Sequence, residues 1–219
     1  MKANIKKPLS SSRALHQVRI IGGLWKRTPL NVIVAEGLRP TPDRVRETVF
    51  NWLNFLLAGG WQDMRCLDLF AGSGALGFEA ASRGAAQVVM VECHTPAYKQ
   101  LEQVRQKLAA TQIELLRADA PKVLASMVAR QQRFDVIFLD PPFGQDLLPT
   151  ILPLCANLLA DKGLLYVEAE YALLSGEPEQ NRQDWLVGWE VIRADQAGSV
   201  FFHILQRNIS AHKVHDNQA

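Results

Sequence analysis

Cysteine is scarce. Cys66, Cys93 and Cys155 stand far apart in 219 residues and form no CxxC pair. That spacing argues against a structural zinc site and a disulfide framework, and suits a reducing compartment. Long apolar runs are lacking too. No stretch approaches the ~20 apolar residues that span a bilayer, and even the run 151–160 is interrupted by Pro153 and Asn157. The basic start, Met1 to Arg13, leads into no apolar segment of the kind found in secretory signals. Internal repeats are absent. What is present is globular composition, 48% hydrophobic and 21% charged, and a chain this long can bury about 70% of its unfolded surface without cross-links. These features predict a soluble cytoplasmic protein without a metal or a membrane segment; a monomer is expected.

Net charge is only +2, but it is unevenly spread. The first sixty residues hold ten basic side chains against three acids (+7), and the other 159 hold 14 against 19 (−5). A basic segment joined to an acidic body places positive potential where a polyanion can bind. Residues 1–13 read as a solvated tail. Lys26, Arg27, Arg39, Arg44 and Arg46 lie within patterned sequence and read as a nucleic-acid-facing patch.

The pattern divides the chain into a disordered basic tail (1–16), a hairpin and helix facing RNA (17–60), a cofactor-binding domain (61–207) and a disordered tail (208–219). Residues 18–21 and 30–34 are β-branched runs flanking Gly22, Gly23 and Pro29, which predicts a small hairpin. Thr41-Pro42-Asp43 predicts a helix start, with Thr41 as N-cap and Pro42 at the first turn. Val45, Val49, Trp52, Leu53 and Leu56 then recur at helical spacing and form its buried face, ending near Gly59-Gly60. Beyond this, short apolar runs at 66–69, 88–91, 113–116, 136–139 and 164–167 alternate with helical stretches near 75–83, 95–109, 121–130 and 146–160. Gly163 reads as the stop of the last helix. Strands buried on both faces and separated by helices predict a parallel α/β sheet. Residues 190–192 and 199–205 have no helix between them and predict an antiparallel hairpin at the sheet edge.

Asp68-Leu-Phe70-Ala-Gly72-Ser-Gly74-Ala-Leu-Gly77 holds a G-x-G-x-x-G between a predicted strand and helix. Glycines there let the backbone turn sharply, approach a ligand and pack the helix on the sheet. A carboxylate at Asp68 would repel a pyrophosphate but suits a cationic ligand such as S-adenosylmethionine (SAM), which carries a sulfonium and an ammonium. Glu92 follows the next strand at the distance expected of a ribose acceptor. Asp119 stands where an adenine amino group needs an acceptor, or where a helix ahead of Pro121 needs an N-cap. His94 reads as a surface residue. Glu168 and Glu170 follow the fifth strand, bordering the site or simply solvated.

Asp140-Pro141-Pro142-Phe143 ends the fourth strand, at the edge where open α/β sheets bind ligands. Two prolines fix φ and remove two N–H groups, so carbonyls point outward beside a carboxylate. Such acceptors can hold the hydrogens of an exocyclic amine, and Phe143 offers a face on which a base can stack. The combination fits methylation of an amino group on a nucleobase. An NAD-dependent oxidoreductase would leave this tetrapeptide unexplained, and an RNA-binding assembly factor with a vestigial site would not need the full motif set. Adenine N6 in DNA or RNA is the alternative target.

The two motifs together resemble those of SAM-dependent amino-methyltransferases of nucleic acid. Arg19-Ile-Ile-Gly-Gly-Leu-Trp-Lys-Arg27 and Gly37-Leu-Arg-Pro-Thr-Pro-Asp-Arg-Val-Arg-Glu-Thr-Val-Phe-Asn-Trp-Leu53 narrow the resemblance to the RsmD family of 16S ribosomal RNA (guanine-N2-)methyltransferases, from about Val18 to Arg207. It implies a Rossmann-like fold with a seven-stranded, mostly parallel sheet, an antiparallel C-terminal hairpin and a small N-terminal hairpin extension. It implies SAM contacts at Asp68, Phe70, Gly72, Gly74, Glu92 and Asp119, with Arg39, Pro40 and Thr41 beside the cofactor. Asp140, Pro141, Pro142 and Phe143 would meet the target base, and Lys26, Arg27, Arg44 and Arg46 the RNA. The substrate the resemblance implies is guanine 966 of 16S rRNA, within an assembling small subunit. Where the family usually carries an R-G-R-type stretch, this chain has Trp25-Lys26-Arg27-Thr28, which keeps the charge but loses bidentate arginine geometry. Phe202 stands where relatives often place Tyr, so no hydroxyl role falls there.

Overall fold

The structure, a computed structural model, describes residues 17–33, 42–173 and 184–208. The β-branched runs of the N-terminal segment form β1 (Gln17–Arg19) and β2 (Pro29–Asn31), which pair antiparallel as expected. Helix α1 (Asp43–Leu56) follows. The alternating part of the chain forms β3 (Arg65–Asp68), α2 (Ala75–Ser82), β4 (Gln87–Val91), α3 (Thr95–Lys107), β5 (Ile113–Leu116), α4 (Ala120–Ala129), β6 (Phe134–Leu139), α5 (Leu148–Ala156) and β7 (Leu159–Ala169). The chain closes with β8 (Trp189–Ala197) and β9 (Val200–Arg207).

Seven strands make one sheet in the order β5-β4-β3-β6-β7-β9-β8. Strands β3 to β7 are parallel, and β9 pairs antiparallel with both β7 and β8. The strand order reverses between β3 and β6, so the crevice at their carboxyl ends is where ligands of such sheets bind. Each face carries its own apolar layer. One gathers Val45, Val49, Phe50 and Leu53 of α1, Phe78 of α2, Leu101 of α3, and Val18 and Leu30 of the hairpin. The other gathers Leu124 of α4 and Ile151, Leu152 and Cys155 of α5. The hairpin therefore shares a core with the sheet. Cys66 and Cys155 are buried and Cys93 is exposed; burial pushes the Cys155 thiol up to about 12. No helix among the described residues is long and apolar enough to cross a membrane.

Three local expectations differ from the structure. Pro42 is the N-cap of α1 rather than its first residue, and it offers no side-chain cap; Thr41 lies outside the described residues. The buried face of α1 includes Arg46 and Phe50, while Trp52 is only half-buried and stacks on Phe202 at 5.5 Å. Gly163 does not stop a helix. Asp146 has φ +45°, outside the helical region, so α5 begins only at Leu148 and ends at Ala156. Gly163 lies inside β7, at a shift of register with β6. A Cβ there would lie 2.8 Å from Leu159 Cδ2 and 3.2 Å from the Phe134 carbonyl oxygen, so close packing, not capping, requires the glycine.

Candidate active site

Between β3 and α2 the chain must reverse within six residues, and two left-handed glycines do it: Gly72 at φ +51° and Gly74 at φ +81°. Their surroundings differ. A Cβ at Gly74 would lie 2.5 Å from Phe78 Cδ2 and 2.7 Å from Leu101 Cδ2, so that glycine serves internal packing. A Cβ at Gly77 would meet Met90 at 2.8 Å, which keeps α2 close on the sheet. At Gly72 nothing but the Phe70 carbonyl comes within 4 Å, at 3.9 Å, so this loop opens toward the crevice.

Asp68 is 1% exposed, and its Oδ2 accepts the Gly77 N–H at 2.9 Å. Gly74, the N-cap of α2, has no side chain, and the strand-end carboxylate supplies the missing acceptor for the first turn. Burial pushes the Asp68 carboxyl up to about 7, against the pull of that hydrogen bond. Glu92 is half-buried and ties two loops together: Oε2 accepts Gly72 N–H at 2.8 Å and Oε1 accepts His94 N–H at 2.6 Å. His94 itself is exposed. Asp119 is the exposed N-cap residue of α4, but its side chain makes no capping bond. Phe70 is half-buried and packs against the α4–α5 layer. Arg39, Pro40 and Thr41 lie outside the described residues.

The tetrapeptide follows β6 directly, next to the glycine loop; the Leu69 N–H donates to the Phe138 carbonyl at 3.1 Å. Asp140 is half-buried, Pro141 buried, Pro142 half-buried, and the Phe143 ring 39% exposed. The Gly144 N–H donates to Glu170 Oε2 at 2.9 Å, which anchors the turn to the end of β7. A cavity of about 180 Å³ lies between Pro141–Leu148 and residues 168–171. Glu168 is 2% exposed there, so it is not a solvated strand end; its Oε1 accepts the Tyr166 hydroxyl at 2.8 Å. Burial, with the charges of Glu168 and Asp140, holds the Tyr166 phenol well above its usual range.

The basic patch is divided. Lys26, Arg27 and Arg44 are exposed. Arg46 is not: it is fully buried, with Nη1 on the Arg19 carbonyl at 2.8 Å and Nη2 on Asp43 Oδ1 at 2.5 Å. Its guanidinium pins the hairpin to α1 and is not available at the surface, which corrects the expectation of an RNA contact. Sequence reasoning also missed the clamp that holds the hairpin. Glu79, fully buried on α2, accepts the Ile21 N–H at 2.6 Å, the Gly22 N–H at 2.8 Å and Arg83 Nε at 2.7 Å. Ser82 Oγ donates to the Gly22 carbonyl at 2.6 Å and accepts the Trp25 N–H at 2.8 Å. A Cβ on Gly23 would lie 1.9 Å from the Ser82 carbonyl oxygen, which explains the paired glycines of that turn. Among the described residues no group of three or more His, Cys, Asp or Glu could hold a metal ion.

Comparison with known proteins agrees with this geometry. Residues 18–206 match the family model described as Conserved hypothetical protein 95. The Escherichia coli protein named ribosomal RNA small subunit methyltransferase D is 38% identical over 93% of this chain and 96% of its own. The solved Escherichia coli protein yhhF is 36% identical, with a TM-score of 0.71 over 88% of this chain and 98% of that one. The structure of SMU.776 complexed with SAH is only 15% identical, over 81% of this chain and 53% of that one; its TM-score of 0.62 shows a shared fold. The chain thus belongs to the Conserved hypothetical protein 95 family, in which the proteins named ribosomal RNA small subunit methyltransferase D are its relatives, and it has the SAM-dependent methyltransferase fold.

Proposed function

We propose that this protein methylates the exocyclic N2 amine of a guanine in small-subunit ribosomal RNA, guanine 966 by family resemblance, with SAM as the methyl donor and an assembling subunit as its setting. The observation that carries the reading is the placement of an open glycine loop and an Asp-Pro-Pro-Phe turn on adjacent strand ends, at the reversal of strand order. The chain's own groups fit SAM. Gly72 leaves space where a side chain would stand, and Asp68 and Glu92 supply carboxylates suited to a cationic ligand with ribose hydroxyls. Glu92 already accepts two N–H groups, and a carboxylate offers about four lone-pair sites, so it can accept a hydroxyl as well. Phe70 and Asp119 complete the cofactor side, and Gly74 shapes the turn that leads to it.

SAM supplies an electrophilic methyl when bound; the protein's part is orientation and electrostatics. Phe143 stacks on the base. Asp140 and the outward carbonyls of Pro141 and Pro142 accept the amine hydrogens, which draws the nitrogen lone pair out of conjugation and aims it at the methyl. The amine gains a methyl and sheds one proton to water, so no strong base is needed. Burying the amine requires the base to be flipped out, which costs least for an unpaired nucleotide. Mass spectrometry of small-subunit rRNA from cells lacking the protein tests the reading: one N2-methylguanosine should be missing, and an unchanged methylation pattern overturns it.

Two further outcomes are expected. Because burial pushes Asp68 up to about 7, part of it is protonated near neutrality. A raised carboxyl pKa contributes stability that is full below the unfolded value and is lost as pH rises through about 7. A bound cation favours the ionised form, so SAM should bind more tightly as pH rises from 6 to 8, releasing a proton at the lower end. Calorimetry in buffers of different ionisation enthalpy reads that proton, and Asp68→Asn should abolish the trend. The second concerns the hairpin. Lys26 and Arg27 sit at the far end of α2 from the glycine loop, roughly 12 Å away for eight residues at 1.5 Å each. They reach RNA backbone away from the target base. Reversing both to Glu should weaken RNA binding and flatten its salt dependence, raising KM with kcat little changed; salt titration of binding measures it.

A further inference from the structure

The guanine reading leaves open what distinguishes guanine from adenine in the pocket. Both bases carry an exocyclic amine that Asp140 and the proline carbonyls could hold. They differ beside it. On the Watson–Crick edge of guanine the N2 amine is flanked by N1–H, a donor, whereas N1 of adenine is a bare acceptor. A site that selects guanine needs a second acceptor next to the one that holds the amine.

The sheet provides one. In the parallel pairing of β6 and β7, Leu139 stands opposite Val167, and extending that register one residue past the end of β6 would bring Asp140 level with Glu168. Neighbouring strands lie ~4.8 Å apart. Alternation in β7 puts Glu168 on the face that Phe138 and Tyr166 share, and Asp140 would follow on the same face, while Leu139 and Val167 belong to the other. Tyr166 feels the charge of both Asp140 and Glu168, which agrees with that shared side. Glu168 is 2% exposed, yet it borders the cavity beside Pro141, Pro142 and Phe143. Its carboxylate is held in place by the Tyr166 hydroxyl on Oε1. A carboxylate offers about four acceptor sites, so Glu168 can accept a further hydrogen beside its present partners.

We propose that Glu168 accepts the N1–H of the target guanine and so excludes adenine, with Tyr166 as the residue that positions it. The proposal rests on the guanine N2 reading above. Guanine presents two adjacent donors to two carboxylates at adjacent strand ends. Adenine would turn the N1 lone pair toward Glu168, two acceptors facing each other in a buried setting, which is costly.

The test uses small-subunit rRNA with guanine or 2-aminopurine at the methylated position, followed by single-turnover methyl transfer. 2-Aminopurine keeps the amine but has no N1–H. The wild-type protein should favour guanine by roughly 10- to 100-fold, the usual weight of a buried hydrogen bond to a charged group. Glu168→Ala should lose that factor on guanine and change within a few fold on 2-aminopurine, with SAM affinity kept, and Glu168→Gln, which keeps a neutral acceptor oxygen, should lose part of it. Tyr166→Phe should reduce the preference for guanine without abolishing it. Equal losses on both substrates mean a structural role and overturn the proposal. So does a wild-type protein that methylates both bases alike, a result that requires no variant to fold. A wild-type protein that methylates no guanine defeats the guanine reading itself, and the role of Glu168 with it.

Discussion

Asp140→Ala is expected to lower methyl transfer by about 10²- to 10⁴-fold while SAM affinity stays within a few fold. The magnitude follows from the kind of work proposed for this carboxylate. An amine attached to an aromatic ring is a poor nucleophile until its lone pair is turned out of the ring, and preorganised acceptors at that point act only on the reacting geometry. Losses of such groups cost roughly 10²- to 10³-fold, more where positioning fails as well. SAM binding is spared because its proposed carboxylates, Asp68 and Glu92, stand at the ends of β3 and β4, whereas Asp140 follows β6. Asp140→Asn keeps one neutral oxygen and should fall between the two. Single-turnover rates paired with calorimetry read both quantities. Near-normal transfer by the alanine variant contradicts the assignment of this residue.

The largest effect on stability is expected at Glu79, far from the reacting groups. Its buried carboxylate accepts the Ile21 and Gly22 N–H groups and Arg83 Nε, and the Arg83 guanidinium in turn lies 5.0 Å above the Phe50 ring. Glu79→Ala leaves two backbone donors and a partly buried guanidinium without their acceptor. Removing one partner of a buried pair costs about 3–5 kcal/mol, which for a chain of this size lowers Tm by roughly 6–20 °C. The exposed Glu102→Ala on α3 serves as control and should change stability by less than about 0.5 kcal/mol. Thermal unfolding checks the comparison. A Glu79→Ala protein within about 1 kcal/mol of wild type would show that the hairpin is held by apolar contacts, with the clamp incidental. Because Glu79 lies on the helix that opens at the glycine loop, this clamp also fixes where Lys26 and Arg27 stand relative to the crevice.

Much of the fold was legible because its signals are local. Runs such as Val88–Val91 and Val136–Leu139 are apolar on both faces, as strands buried between helix layers must be, and G-x-G-x-x-G and Asp-Pro-Pro-Phe state their backbone geometry in their own composition. What escaped depends on partners distant in sequence. Arg46 reads as one more cation in a basic segment, and only the fold brings the Arg19 carbonyl to it from 27 residues upstream. Glu79 and Ser82 look like ordinary helix residues, since the turn they hold lies 57 to 60 residues away. Gly163 matches a helix stop in spacing, and the register shift that requires it is set by Phe134 on another strand. Glu168 reads as a strand-end acid until the fold buries it and sets the Tyr166 hydroxyl on it. Spacing along one element is visible in a sequence; register between elements is not.

The most direct test of the central claim incubates the purified protein with isotopically labelled SAM and small ribosomal subunits from cells that lack it, then identifies the labelled nucleoside after complete digestion. The account predicts a single labelled product, N2-methylguanosine, absent with Asp140→Ala. Label in N6-methyladenosine, or SAM binding without any transfer to the subunit, would contradict it.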